Sequence, residues 1–284
     1  PDMLILEGAE VAPFYWWSGS PFKKNLTLND WDRHLLVTGL KKYQDYAHLP
    51  VVGNRYFLPQ LKDALTLLIP LSLIIFGVFL FKKRKPGKFL GSALNILGIL
   101  FLFNTFPFSA SRYNPYHGQK GFLPYQDLIN YVHKKGGLVF WAHPEINERR
   151  SWKEFAKIGF YTPSYPESLK LTSGYTGFGV NMLPGANHKI ILAGEEWDKV
   201  LISYSKGKRL QPVWAIGESD YRGRGRIDEV QNIFFLPEFN QESLYYALRK
   251  GRFYIRYYAE NKIDISLRDF HIEDSENLGK FVFF

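Results

Sequence analysis

The sequence predicts a protein of the α/β class whose chain is interrupted by a long apolar insert. Short apolar segments typical of buried strands alternate with segments of helical periodicity, which favours an α/β architecture. Two long uncharged segments lie between residues 64 and 108. The 284 residues are enough to bury a full core, and an aromatic content of 17% indicates a wide apolar interior or an interfacial location.

A helix followed by a strand is predicted in the middle of the chain. Pro124 suits a first helical turn, apolar residues recur at helical spacing, and basic residues precede Gly136 at the end. An apolar strand over residues 137–142 follows and ends at His143. Side chains beyond the carboxyl ends of strands carry the chemistry of many α/β enzymes. A lone histidine is more often a core or turn residue, so this interpretation depends on partners for His143.

Three other segments place metal-binding residue types at or near strand ends. The apolar segment 3–6 leads into Glu10, His34 precedes an alternating segment at 35–40, and a strand over 212–217 leads into Asp220. Carboxylate oxygen and neutral imidazole nitrogen are ligands for zinc, manganese or iron. These residues are therefore predicted to converge with His143 on a divalent-metal site. A solvated loop is the alternative for Asp220.

Together these segments resemble the polymerase and histidinol phosphatase (PHP) family of metal-dependent phosphoesterases. The most specific parts are Ala-His-Pro at residues 142–144 and Ala-Leu-x-x-Gly-Arg at residues 247–252. Gly-x-Glu at 8–10, the histidine before a strand at 34, and Ser-Asp at 219–220 also match. The resemblance covers most of residues 3–258 outside the insert. It implies a distorted PHP-type β/α barrel.

The chain departs from this family at two places. Family members begin with a strand carrying His-x-His and a following Asp-His, and nothing before Glu10 supplies them. Either the chain is truncated at its amino terminus or the site is incomplete, and a start already inside a strand approach favours truncation. The family also has a histidine two positions after the serine, where this chain has Tyr221. A phenol with a reference pKa near 10 is a poor replacement ligand, so one metal position is expected to be altered.

The resemblance implies hydrolysis of a phosphoester assisted by two or three divalent ions, zinc, manganese or iron. Bound cations acidify water and neutralise charge on the leaving oxygen. Glu10 would bridge two ions and His34, His143 and Asp220 would be terminal ligands, with His143 and Asp220 in the catalytic centre.

A glycine-rich basic loop directly follows Asp220. Its Arg222 and Arg224 are predicted to bind the substrate, because the planar guanidinium fork suits phosphate oxygens. The expected substrate is a phosphorylated small molecule or a lipid headgroup. The alternative is a solvated basic turn.

The insert predicts a two-helix transmembrane hairpin. Residues 64–81 carry no charge and residues 89–108 carry none either, and each segment is long enough to cross a bilayer core. The loop 82–88 contains five basic residues, which the positive-inside rule assigns to the cytoplasm. A pair of long buried helices in a soluble protein is the competing interpretation.

The hairpin leads to a prediction of topology and domains. Residues 1–63 and 109–258 would form the two parts of a PHP-like domain outside the cytoplasm, on a multi-pass membrane protein. Residues 64–108 would form the hairpin, and 259–284 the start of a β-rich appendage. The loop accounts for five of the net charge of +9, and the remaining excess does not require a nucleic-acid partner. The rival function is a non-catalytic, membrane-anchored binding or assembly protein on a degenerate PHP scaffold.

Overall fold

A computed structural model describes residues 3–20, 22–54, 65, 67–83, 85–105, 113–152, 158–181, 187–221, 226–257, 271–273 and 280–282. The β-strands in these ranges are β1 (Gly8–Val11), β2 (Trp16–Ser18), β3 (Thr27–Asn29), β4 (Leu35–Thr38), β5 (Leu138–Trp141), β6 (Glu148–Trp152), β7 (Ile158–Thr162), β8 (Gly177–Asn181), β9 (Trp214–Glu218), β10 (Val230–Phe234), β11 (Phe253–Tyr257), β12 (His271–Glu273) and β13 (Lys280–Val282). The α-helices are α1 (Tyr43–Ala47), α2 (Leu68–Phe81), α3 (Lys85–Thr105), α4 (Leu123–Lys134), α5 (Ser168–Leu171), α6 (Glu196–Ser205) and α7 (Gln241–Lys250). Short 3-10 helices lie at Lys189–Ile191 and Ile227–Glu229.

The main sheet is open and mixed, with the strand order β1-β4-β5-β8-β9. β4 pairs antiparallel with β1 and β5, whereas β5, β8 and β9 run parallel. Among the described residues, β1 and β9 form its two edges, and no pairing closes them into a barrel. The predicted distorted PHP-type barrel is therefore wrong, because antiparallel β1 and β4 end the sheet on one side.

The central strand β5 is buried on both faces. Val139 and Trp141 belong to the larger core, which includes α4, and Leu138 and Phe140 belong to a second core with Leu248 of α7. This alternation follows from the two-residue period of side chains along a strand. The sheet thus separates two apolar layers, as expected for parallel strands buried on both faces.

The predicted elements around the central strand are confirmed. Helix α4 begins near Pro124 and has basic residues in its last turn, as the sequence indicates. Helix α7 begins after Asn240, whose side chain accepts a hydrogen bond from the Ser243 N–H, and ends at Gly251 with a φ of 67°. Glycine tolerates this left-handed conformation at a helix end.

The first strand differs from the prediction. Residues 3–7 are not in a strand, and β1 begins at Gly8, so Glu10 lies within the strand and pairs with Leu36. The apolar segment 3–6 has no pairing partner in the described residues, whereas residues 8–11 pair along the whole length of β4.

Two smaller strand groups accompany the main sheet. Strands β2, β3, β7 and β6 form a second sheet in that order, and β10 pairs with β11. The Asn232 side chain of β10 bonds the backbone N–H and carbonyl of Gly217 in β9, at 2.8 and 2.9 Å. Near the end of the chain, β12 and β13 form an antiparallel pair. The segment 263–267, predicted as a strand, lies outside the described residues.

The apolar insert forms two helices that pack closely together. A Cβ atom on Gly91 would lie 2.5 Å from the carbonyl oxygen of Gly77, and one on Gly98 would lie 3.0 Å from that of Pro70. Glycine at these positions permits the close backbone approach. Most other apolar side chains of α2 and α3 are exposed.

The prediction of a two-helix transmembrane hairpin is wrong. Among the described residues, one helical segment, Pro86–Phe103, is long and apolar enough to cross a membrane, while the apolar helix Leu68–Phe81 is shorter. At 1.5 Å per residue, the 14 residues of α2 span about 21 Å, less than the hydrocarbon core of about 30 Å.

Candidate metal centre

Glu10, His34 and His143 meet at one end of the main sheet. Strand pairing aligns Val11 with Leu35, and Leu35 with Trp141, so Glu10, His34 and His143 lie at the same end of three adjacent strands. The ligand atoms of the three side chains all lie within 4.8 Å of one another. Residues separated by up to 133 positions in the chain therefore share one small group.

The distances within this group suit a divalent ion. Oε1 of Glu10 lies 2.8 Å from Nδ1 of His34 and 3.3 Å from Nε2 of His143, and the two nitrogens are 3.4 Å apart. A tetrahedral zinc ion with bonds of about 2.0–2.1 Å separates its ligand atoms by about 3.3–3.4 Å. Two of the three separations match, and the third widens if the Glu10–His34 hydrogen bond is replaced by coordination.

Hydrogen bonds and nearby charges shift the pKa values of Glu10 and His143. Hydrogen bonds from His143 and His34 hold the pKa of Glu10 well below its usual range. Burial opposes the charged form of His143, but the hydrogen bond to Glu10 and the nearby charges of Glu218 and Asp220 raise its pKa overall. The Glu10 side chain is 45% exposed, so the group is open to solvent on one side.

Asp220 lies near His143 but outside the three-residue group. It lines a cavity of about 140 Å³ together with His143, Glu145 and Asn181. Burial raises the pKa of Glu145, whose Oε1 accepts a hydrogen bond of 3.0 Å from the Ile190 N–H. The Asp220 side chain can therefore contact a ligand bound in the cavity beside His143. Tyr221, which follows it, is 48% exposed.

Backbone strain coincides with the site. His143 has a φ of 30° and Asp220 a φ of 43°, values that residues other than glycine rarely adopt. Such conformations cost on the order of 1–3 kcal/mol each and cluster at functional sites. Both residues follow parallel strands of the same sheet, β5 and β9.

Two residues at this site were missed from the sequence, the half-buried Glu218 and the buried Tyr165. Glu218, the last residue of β9, accepts a hydrogen bond from the backbone N–H of His143. Burial raises its pKa to about 7. Its position at a strand end, two residues before Asp220, is a signal in the sequence that could have identified it. Tyr165 contacts the His143 ring, and no sequence pattern marks it.

The predicted phosphate-binding residues Arg222 and Arg224 lie outside the described residues. Arg226, at the far side of that segment, pairs with Asp228 at 2.5 Å.

No protein-family model, no curated protein and no solved structure matches this chain.

Proposed function

We propose that this protein is a metal-dependent phosphoesterase of PHP-like type. The observation that carries the proposal is the Glu10, His34 and His143 group, in which one carboxylate oxygen and two imidazole nitrogens lie within 4.8 Å of one another. Mixed oxygen and nitrogen ligands of this kind suit zinc, manganese or iron. The sequence resemblance supports the choice of phosphoester hydrolysis over other metal-assisted reactions.

Each residue of the site has its own role in this proposal. Glu10, His34 and His143 would hold a divalent ion, which supplies a Lewis acid that acidifies water and neutralises charge on a phosphoryl oxygen. Glu10 contributes negative charge on the solvent-exposed side. Asp220 lines the cavity beside His143, where a second ion or a substrate hydroxyl fits its carboxylate chemistry. The Glu218 carboxylate accepts a hydrogen bond from the backbone N–H of His143 and so positions the His143 backbone.

The substrate in this proposal is a phosphorylated small molecule or a lipid headgroup, bound by Arg222 and Arg224. Nucleic acid is not part of the proposal. The ion count of two or three also belongs to the proposal, because the described group would hold one.

A metal titration combined with an assay tests the proposal. The chelator-treated protein is loaded with zinc or manganese, bound metal is measured, and hydrolysis of a chromogenic phosphodiester and phosphomonoester is followed. We expect metal binding and hydrolysis in the wild type, and loss of both in His34→Ala. The control is His133→Ala, which removes an exposed histidine from the last turn of α4. A protein that binds no metal at saturating concentration contradicts the proposal.

The second candidate is a non-catalytic, metal-binding assembly protein on a degenerate scaffold. It is favoured by Tyr221, an exposed phenol at the position where the family has a histidine. Metal binding without hydrolysis of phosphodiesters, phosphomonoesters or anionic lipids would support it.

We also propose that the protein is attached to a membrane through α3, with the main sheet outside the cytoplasm. Exposed apolar side chains of α3 include Phe89, Leu100 and Phe103, and basic Lys82 and Lys83 lie between α2 and α3.

A further inference from the structure

Tyr165 is a buried phenol in contact with the metal-binding group. It has no exposed surface, and its backbone N–H donates to the Pro144 carbonyl at 2.7 Å, beside the His143 turn. Its hydroxyl oxygen lies 2.6 Å from the carbonyl oxygen of Ala142 and 3.3 Å from Nδ1 of His143. The carbonyl oxygen of Asp32 is farther away, at 3.5 Å.

The direction of these hydrogen bonds follows from the number of protons. A phenol has an ordinary pKa near 10 and keeps its proton at neutral pH, so the Tyr165 hydroxyl has one proton to donate. A backbone carbonyl can only accept, and the short contact to Ala142 therefore uses that proton. The phenol oxygen can then only accept a further hydrogen bond through its lone pairs. The hydrogen bond to His143 therefore requires a proton on Nδ1 of the imidazole.

A neutral imidazole with its proton on Nδ1 has a free lone pair on Nε2. In His143 this Nε2 faces Oε1 of Glu10 at 3.3 Å and Nδ1 of His34 at 3.4 Å. In the protonated imidazolium Nε2 also carries a proton and donates it to Glu10. A divalent cation that takes the place of this Nε2 proton leaves the proton on Nδ1 in position. The two histidines also differ, since His34 directs Nδ1 and His143 directs Nε2 at the shared position.

We propose that Tyr165 is a positioning residue, which fixes His143 in the tautomer protonated at Nδ1 and so presents Nε2 to a divalent cation. This inference rests on the proposed metal-dependent function. Outer hydrogen bonds of this kind orient metal-binding histidines, and their loss typically weakens metal affinity by about 10–100-fold.

The first test is the tautomer of His143 in the metal-free wild type. Nitrogen-15 NMR at a pH where the imidazole is neutral distinguishes a protonated Nδ1 from a protonated Nε2, and the His143→Asn variant assigns the signal. We expect the proton on Nδ1. A His143 protonated at Nε2 alone overturns the proposal.

The second test compares Tyr165→Phe with a matched control, Tyr175→Phe. Tyr175 is 3% exposed, and its hydroxyl donates to the Leu169 carbonyl at 2.5 Å. Each substitution therefore leaves one buried carbonyl without its phenol donor, but only the first removes the partner of His143.

In Tyr165→Phe we expect a mixture of His143 tautomers and zinc affinity about 10–100-fold weaker by calorimetry. In Tyr175→Phe we expect the wild-type tautomer and affinity. Equal losses of affinity in both variants, or an unchanged tautomer in a folded Tyr165→Phe, contradict the proposal. If the wild type binds neither zinc nor manganese, the proposed function fails, while the tautomer measurement still decides the role of Tyr165.

Discussion

The carboxylate of Glu218 occupies the space in which a side chain at Gly179 would stand. The two residues lie on the neighbouring parallel strands β8 and β9, and a Cβ atom on Gly179 would overlap Oε2 of Glu218. The same carboxylate accepts the N–H of His143. Gly179 therefore determines where the Glu218 carboxylate of the candidate metal centre can lie.

Substitution of Gly179 by alanine should force Glu218 out of its position. Overpacking of this kind lowers the free energy of unfolding by about 1–3 kcal/mol. In a Glu218→Ala background the overlap is gone, and the same substitution should cost less than about 1 kcal/mol. Urea unfolding of the four proteins in this double-mutant cycle measures the coupling. Equal costs in both backgrounds would show that Gly179 acts through something other than Glu218.

The raised pKa of Glu218 should make the metal-free protein less stable as the pH rises. The folded state keeps a proton on this carboxyl up to about pH 7, whereas the unfolded state releases it near the ordinary value of 4.5. The free energy of unfolding therefore falls by on the order of 3 kcal/mol as the pH rises from about 4.5 to about 7. Above pH 7 the carboxyl is ionised in both states, and its effect on stability no longer changes with pH. Glu218→Gln should flatten this part of the curve and raise stability above pH 7.

Chemical unfolding in the presence of a chelator, from pH 4 to pH 8, measures this dependence. The control is Glu242→Gln, which removes an exposed carboxylate from the first turn of α7. Parallel curves for wild type and Glu218→Gln would contradict the expected role of the Glu218 carboxyl.

A buried ion pair lies beside the metal-binding residues and should be sensitive to the loss of one partner. Arg33 and Asp30 contact each other at 3.1 Å with side-chain exposures of 4% and 5%, and Trp16 Nε1 donates to Asp30 at 3.0 Å. Arg33→Met leaves the Asp30 charge buried without its cation, which should cost about 3–5 kcal/mol of unfolding free energy.

The pair of exposed Lys199 and half-buried Glu196, 2.7 Å apart, provides the comparison for Arg33. Lys199→Met should cost far less than Arg33→Met, because solvent screens pairs at the surface. Thermal or urea unfolding of both variants measures the two losses of unfolding free energy. A similar small cost at both positions would mean that Asp30 is compensated without Arg33.

Membrane attachment through α3 can be tested with single cysteines, because the natural chain has none. Leu97 in α3 is 44% exposed and Leu210 is 99% exposed. In membrane vesicles, a water-soluble maleimide should label Leu210→Cys but not Leu97→Cys, and detergent should expose both. Rapid labelling of Leu97→Cys without detergent would argue that α3 does not contact lipid. Labelling of Leu210→Cys in intact cells reports the side on which the sheet lies.

The sequence predicts the secondary structure of the site better than its architecture. Helix α4 and the buried strand β5 follow from local periodicity and from Pro124 and Gly136, whereas the Asn240 cap of α7 was not predicted. Local patterns did not correctly predict the barrel, because a barrel depends on which strands become neighbours. They did not correctly predict the two-span hairpin either, because it depends on the length of α2. Glu10 shows the same limit, since its place within β1 is set by pairing with β4.

What the sequence by itself determined is the set of elements and the residue types at their ends, because hydrophobic period and end-capping act over a few neighbouring residues. The tertiary structure decided that Glu10, His34 and His143 meet, that Glu218 fills the space beside Gly179, and that Tyr165 contacts His143. These contacts depend on the order of strands in the sheet. That order reflects packing between segments far apart in the chain, and local patterns do not encode it.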